Sequence, residues 1–198
     1  YYTPDYCAGS FRANAISKAL TNDKRVNKFF VVTTVPHRYG FLKNYNKYEV
    51  LGKKVVIRNK IPQHNSRFLK QIFTFIIYAI QTIIHSINNR KSYDIIIITS
   101  SRFGTAFLGY LISKITGKPL AIDIRDIFSD GLKSLEASNK LIIKIIIKLI
   151  SAIELKIINH ASWINFVSPG FVDFFQHSLN TINPKVYTNG IDKTFIDN

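Results

Sequence analysis

Short β-branched apolar runs alternate along the chain with longer stretches of helical periodicity. Residues 26–34 read as a strand rich in Val, Thr and Phe, and 54–58 as a second, short one. Residues 93–100 form the strongest run, apolar on both faces, which marks a central parallel strand covered on two sides. Residues 119–124, 163–167 and 185–187 complete the set. Between these runs the spacing predicts helices over 9–20, 66–88, 104–116, 138–160 and 169–179. The third is closed by Gly117-Lys118-Pro119. Strands alternating with helices of this length predict βαβ units, an α/β fold with a mainly parallel sheet and helices on both faces. Residues 36–52 are expected to form a long surface loop.

Two of the helices invite a membrane reading. Residues 73–87 are apolar apart from Thr74, Gln81, Thr82, His85 and Ser86. That run is too short and too interrupted for a span of about 20 apolar residues, so a core helix packed on the sheet is expected. On a helical wheel of 138–160, Lys140, Lys144, Lys148, Ser151 and Glu154 share one side and a wide isoleucine-rich arc takes the rest. The pattern suits a core helix with a solvated lysine stripe. It also suits a basic amphipathic helix on an anionic membrane surface.

Composition narrows the picture. A chain of 198 residues with 46% apolar residues can bury a core of ordinary domain size. There are 27 basic against 12 acidic residues, a net charge of +15. The bias to Ile, Lys, Asn, Tyr and Phe suggests an AT-rich genome, which discounts that charge as a functional signal. The single Cys7 excludes an internal disulfide framework and a Cys-based zinc site, and makes a reducing compartment the default. Histidines 37, 64, 85, 160 and 177 lack metal-ligand spacing, and neither a P-loop nor a nucleophile elbow is present. The chain contains no methionine, so a fragment, a processed form or a trimmed chain is expected. Its first residues lack the marks of a signal peptide.

In a parallel α/β sheet, ligands bind beyond the carboxyl ends of the strands. Four clusters follow such ends or open helices. Gly9-Ser10 with Arg12 could bind phosphate or sugar oxygens at a helix start, or Ser10 could simply cap the helix. Ser100-Ser101 follows the strongest strand, where capping and binding are equally open. The segment 123–130 holds three carboxylates and one guanidinium at a strand exit. There Asp126 as a base beside an orienting Arg125 is chemically sensible, and an internal Arg–Asp salt bridge is the alternative. Asn189-Gly190 is a turn signal.

The order of these clusters resembles the N-terminal half of bacterial glycosyltransferases of the GT-B fold, family 4, of the O-antigen and capsule type. The matching residues are Tyr2-Thr3-Pro4-Asp5 with Gly9-Ser10-Phe11-Arg12, Tyr93-Asp94 leading to Thr99-Ser100-Ser101, and Gly117-Lys118-Pro119. Asp123-Ile124-Arg125-Asp126, Ser168-Pro169-Gly170 and Asn189-Gly190-Ile191-Asp192 follow, with Glu154 in the long helix. The resemblance implies a single Rossmann-like acceptor-side domain over 1–188, its first strand truncated. Residues 189–198 would begin a hinge to an absent donor-binding domain, and the fragment alone would be inactive.

The implied activity is metal-independent transfer of a sugar from a nucleotide-sugar donor to a lipid-linked or saccharide acceptor, with no cofactor and with retention as the family expectation. Asp126, with Arg125, would lie near the reacting hydroxyl. Many members carry a His near this exit where the present chain has Arg-Asp. Gly9, Ser10, Arg12, Ser100, Ser101, Asn189 and Gly190 would contact substrate, while Asp123 would only order the loop. A lipid-linked acceptor places the protein at the inner face of the cytoplasmic membrane, with Lys140, Lys144 and Lys148 toward anionic lipid. A non-catalytic recruiting subunit and a nucleotide-sugar epimerase are the competing readings. Nucleic-acid binding is not expected, because the lysines are scattered without an aromatic-basic surface motif.

Overall fold

The computed structural model describes residues 1–5, 7–36, 45–62, 68–132, 141–179 and 184–190. It is an α/β structure that divides into two compact units, residues 1–94 and 95–198.

The first unit begins with helix α1 (Ala8–Asn22), followed by strand β1 (Phe29–Thr34), β2 (Tyr48–Leu51), β3 (Lys54–Asn59) and helix α2 (Phe68–Asn88). The sheet order is β1-β3-β2, with β1 parallel and β2 antiparallel to β3. Strand β2 falls inside the segment expected to be a loop. Its four residues are short, mostly exposed and paired on one side only, so they lack the long apolar run that marks an interior strand. Gly52, at φ +59°, makes the turn into β3, a conformation that favours glycine.

The two faces of this sheet are covered differently. Lys54 and Arg58 point to one face, where the Lys54 ammonium lies 5.7 Å from the Tyr2 ring centroid. The Arg58 guanidinium there donates to the Thr3 carbonyl at 2.9 Å. Asn59 points to the other face and donates to Thr82 of α2 at 3.1 Å. Tyr78 donates its hydroxyl to the Val32 carbonyl at 3.1 Å. Helix α2 therefore faces the sheet with its hydroxyl-bearing side, Thr74, Tyr78 and Thr82.

The second unit runs β4 (Ile96–Ser100), α3 (Phe103–Thr116), β5 (Leu120–Ile124), α4 (Leu141–His160), β6 (Trp163–Phe166), α5 (Pro169–Phe175) and β7 (Lys185–Val186). Its four strands are parallel in the order β4-β5-β6-β7, as in a Rossmann-like domain. The isoleucine run expected to be central, β4, is an edge of this sheet. The interior strand is β5, buried over all five residues. A continuous apolar run records burial on two faces but not a partner on each side, so the sequence could not distinguish the two positions.

Ile122, Ile124, Ile164 and Phe166 line one face of the sheet and pack with Ala106 of α3, Ile157 and Ile158 of α4, and Phe175 of α5. Gly109 lets α3 approach closely, since a Cβ there would meet the Ile98 side chain. Gly117, at φ +71°, ends α3 with its N–H on the Ser113 carbonyl. The wheel of α4 is only partly obeyed. Glu154, placed on the solvated stripe, is 1% exposed, while Leu141, Ile142, Ile145, Ile146 and Leu149 are open to solvent.

Candidate functional site

The second unit builds its site at the carboxyl ends of β4, β5 and β6. Thr99, Asp123 and Asn165 stand opposite one another in register, one on each strand. The Thr99 hydroxyl donates to Asp123 Oδ2 at 2.7 Å, and Asn165 Nδ2 donates to Asp123 Oδ1 at 2.6 Å. Asn165 continues the row by accepting from the Tyr187 amide at 2.7 Å and donating to the Tyr187 carbonyl at 3.2 Å. A polar row thus crosses β4, β5 and β6 and ends on the Tyr187 backbone just past β7, and Asp123 and Asn165 are both buried. Asn165 was not singled out in the sequence, and Thr99 only as the first residue of Thr99-Ser100-Ser101. The available signal was a polar residue of fixed parity inside each apolar strand.

Beyond this row the chain leaves β5 through Arg125 and Asp126. The Arg125 amide donates to the Ser100 carbonyl at 3.0 Å, bringing two of the candidate residues together at adjacent strand exits. Asp126 is exposed, whereas Arg125 is partly buried. Its Nε is buried without a hydrogen-bond partner among the described residues.

Glu154 fixes the loop that follows. One carboxylate oxygen accepts from the Phe128 amide at 2.8 Å and the other from the Ser129 amide at 3.1 Å. A buried carboxylate with two amide donors is a stable arrangement, because charge-assisted hydrogen bonds replace lost water. The arrangement presents the exposed Asp126, next in sequence to Arg125, at a strand exit whose following loop is held from α4.

The remaining candidates of this unit are placed as follows. The Ser100 hydroxyl donates to the Arg102 carbonyl at 2.7 Å and accepts from the Arg102 amide at 3.0 Å, closing the turn into α3. Ser101, Asn189 and Gly190 are exposed. Lys144 and Lys148 are exposed on α4, and Lys140 lies outside the described residues, as do Ile191 and Asp192.

A shallow cavity of about 300 Å³ sits near the opposite, amino end of β5, lined by residues including Ser113, Lys114 and His160. Ser113 donates its hydroxyl to the Lys118 carbonyl at 2.6 Å, so the 2.8 Å contact with His160 Nε2 is a bond that Ser113 accepts. Its proton is committed to the carbonyl, which rules out a serine–histidine nucleophile in this arrangement. Burial, and secondarily Lys114, hold the His160 imidazole below its usual range.

In the first unit, Gly9, Ser10 and Arg12 lie in the opening turns of α1. Cys7, not Ser10, is the N-cap, and Ser10 sits inside the helix. Its hydroxyl is fully buried, and it and both Asp5 carboxylate oxygens are without hydrogen-bond partners among the described residues. Arg58 binds together three segments at the neighbouring strand ends. Besides Thr3, it reaches the Asn46 carbonyl and Glu49 Oε1, each at 2.7 Å. Sequence reading missed Arg58, which looks like an ordinary strand-terminal cation.

Among the described residues, no cluster of three His, Cys, Asp or Glu side chains is placed to hold a metal ion. No protein-family model matches the chain, and no curated protein matches it.

Proposed function

We propose that this chain is the acceptor-side part of a glycosyltransferase with the GT-B organisation, transferring a sugar from a nucleotide-sugar donor to a lipid-linked or saccharide acceptor. The observation that carries the reading is the exit of β5, where Asp126 is exposed and the loop that follows is bonded at Phe128 and Ser129 to the Glu154 carboxylate. Parallel α/β sheets place their ligands at such ends.

In the proposed step the acceptor hydroxyl oxygen attacks the anomeric carbon of the donor sugar. The bond from that carbon to the diphosphate oxygen breaks, and the nucleoside diphosphate leaves with the electron pair. Asp126 takes the hydroxyl proton as general base. Arg125 offsets the charge gathering on the leaving diphosphate. Gly9 and Arg12 in the first unit, and Ser101, Asn189 and Gly190 in the second, are assigned to substrate contact, each within its own unit; Ser10, fully buried in α1, and Ser100, whose hydroxyl closes the turn into α3, are not.

Work at the inner face of the cytoplasmic membrane accounts for the outer end of α4. There Lys144 and Lys148 stand among exposed Leu141, Ile142, Ile145 and Leu149. Such a face matches an anionic lipid surface.

The test is release of nucleoside diphosphate by the native protein containing this chain, supplied with a panel of nucleotide sugars and a membrane lipid extract. Transfer that depends on the extract and falls at least 100-fold in Asp126→Asn supports the reading. Turnover without acceptor that only alters the donor sugar would instead make the protein an epimerase. Full transfer by Asp126→Asn removes the assignment of the base.

A further inference from the structure

The outward side of α2 is the reverse of a surface helix. A helix packed on a sheet ordinarily turns isoleucine and leucine inward and charge outward. Here Thr74 and Thr82 are buried, and Leu69, Phe73, Ile76, Ile80 and Ile84 form an exposed stripe at spacings of three and four. Leu69 is 78% exposed and the other four between 48% and 59%.

Hydrogen bonds fix this rotation. Tyr78 is bonded to Val32, Thr82 to Asn59 and Gln81 to the Lys60 carbonyl, so the stripe cannot roll toward the sheet without breaking all three. At 1.5 Å per residue the 21-residue helix presents an apolar edge about 30 Å long. An exposed apolar patch of that extent marks an interaction surface.

Charge identifies what the stripe meets. Residues 71–89 contain no Asp, Glu, Lys or Arg, and the run is bracketed by Lys70 at one end and Arg90 and Lys91 at the other. Burial keeps the His85 imidazole below its usual range, which leaves the helix surface uncharged between those cations. No acidic residue occurs from 68 to 93. A second copy of a chain carrying +15 would bring like charges together at both ends of the stripe. Anionic headgroups would be attracted there while the acyl region takes the isoleucines.

We propose that the exposed stripe of α2 seats on an anionic phospholipid surface, with the helix lying in the plane of the interface and its hydroxyl side kept on the sheet. By length and hydropathy alone α2 is the one helix among the described residues that could cross a bilayer. The bonds from Tyr78, Gln81 and Thr82 assign it to the surface, since a span would strip those groups from the sheet into hydrocarbon. The inference rests on the peripheral-membrane part of the reading above for the class of surface, and it adds a contact in the first unit.

The experiment is co-sedimentation of the native protein with vesicles of phosphatidylglycerol and phosphatidylcholine, against vesicles of phosphatidylcholine alone. Wild type should bind the anionic vesicles preferentially and be released by alkaline carbonate. The pair Phe73→Gln and Ile80→Gln, both at exposed positions, should weaken that binding at least tenfold with unchanged circular dichroism. In a Cys7→Ser background, a polarity-sensitive dye on Ile76→Cys should shift to the blue when anionic vesicles are added. That readout needs no disruptive substitution.

Undiminished vesicle binding by the glutamine pair, or a dye that does not respond, overturns the proposal. So does resistance to carbonate, which would mean a span. A glutamine pair that turns a dimer into a monomer while vesicle binding persists would assign the stripe to a second copy. Loss of binding in Lys144→Glu with Lys148→Glu but not in the glutamine pair leaves the α4 contact standing and removes this one.

Discussion

Asn165 Nδ2 lies 2.6 Å from Asp123 Oδ1, a hydrogen bond near the carboxyl ends of two adjacent parallel strands with both residues buried. The amide is the strand-to-strand partner of the carboxylate, and Thr99 supports it from the other side. Removing a donor from a buried carboxylate leaves that charge partly unsatisfied, at a cost above that of an ordinary hydrogen bond. Asn165→Ala should lower unfolding free energy by about 2 to 3 kcal/mol in urea titrations. Asn165→Asp should be worse, because it sets two carboxylates side by side.

Glu154→Gln separates charge from shape. The glutamine carbonyl can still accept from one of the Phe128 and Ser129 amides, but its NH₂ group faces the other. A stability loss of about 1 to 3 kcal/mol is expected. Amide hydrogen exchange should rise at Phe128 and Ser129 before it rises in β5. Equal exchange in both proteins would show that the loop is held by other means.

Gly109→Ala sets two effects against each other. Alanine ordinarily stabilises a helix interior over glycine by about 1 kcal/mol. At this position the new methyl meets Ile98 Cγ1 and stands 2.9 Å from Cδ1, so the Ile98 side chain or the helix must move. Overpacking of this kind costs about 1 to 3 kcal/mol, which outweighs the helical gain. The variant should unfold at a lower denaturant midpoint than wild type.

His160 gives a dependence on pH. Its folded-state pKa lies below the ordinary 6.5, by burial first and by Lys114 second. In the unfolded chain the imidazole takes its proton near 6.5, while in the folded chain it takes it only at lower pH. The unfolded state therefore binds more protons in that window, and stability falls as pH drops below 6.5 until the folded pKa is passed. Denaturant midpoints measured between pH 7.5 and 5.5 should fall less steeply in His160→Gln than in wild type. A Lys114→Gln variant should titrate His160 at a higher pH by NMR.

Much of the fold was readable from local pattern. The interior strand β5, the helix α3 with its Gly117 stop and the exit carrying Arg125 and Asp126 all follow from apolar runs and their punctuation. Asp123, expected to order the loop, is bonded instead to Thr99 and Asn165 of the neighbouring strands. Strand β2 was not readable, since four residues at an edge carry little hydrophobic signal. The rotations of α2 and α4 were not readable either. A helix apolar on most of its circumference is compatible with several orientations. Here partners distant in sequence, Val32 and Asn59 for α2 and the 128–129 amides for α4, select the observed ones. Arg58 escaped for the same reason, because its three acceptors come from two stretches distant in sequence, Thr3 and residues 46–49.

Helix α4 carries Lys148 on its outside and Glu154 six residues further along, about 9 Å down the same rigid rod. The Glu154 carboxylate grips the peptide that begins two residues beyond Asp126. The lysine-bearing end of α4 and the backbone just past Asp126 are thereby tied to a single element, with Glu154 as the link.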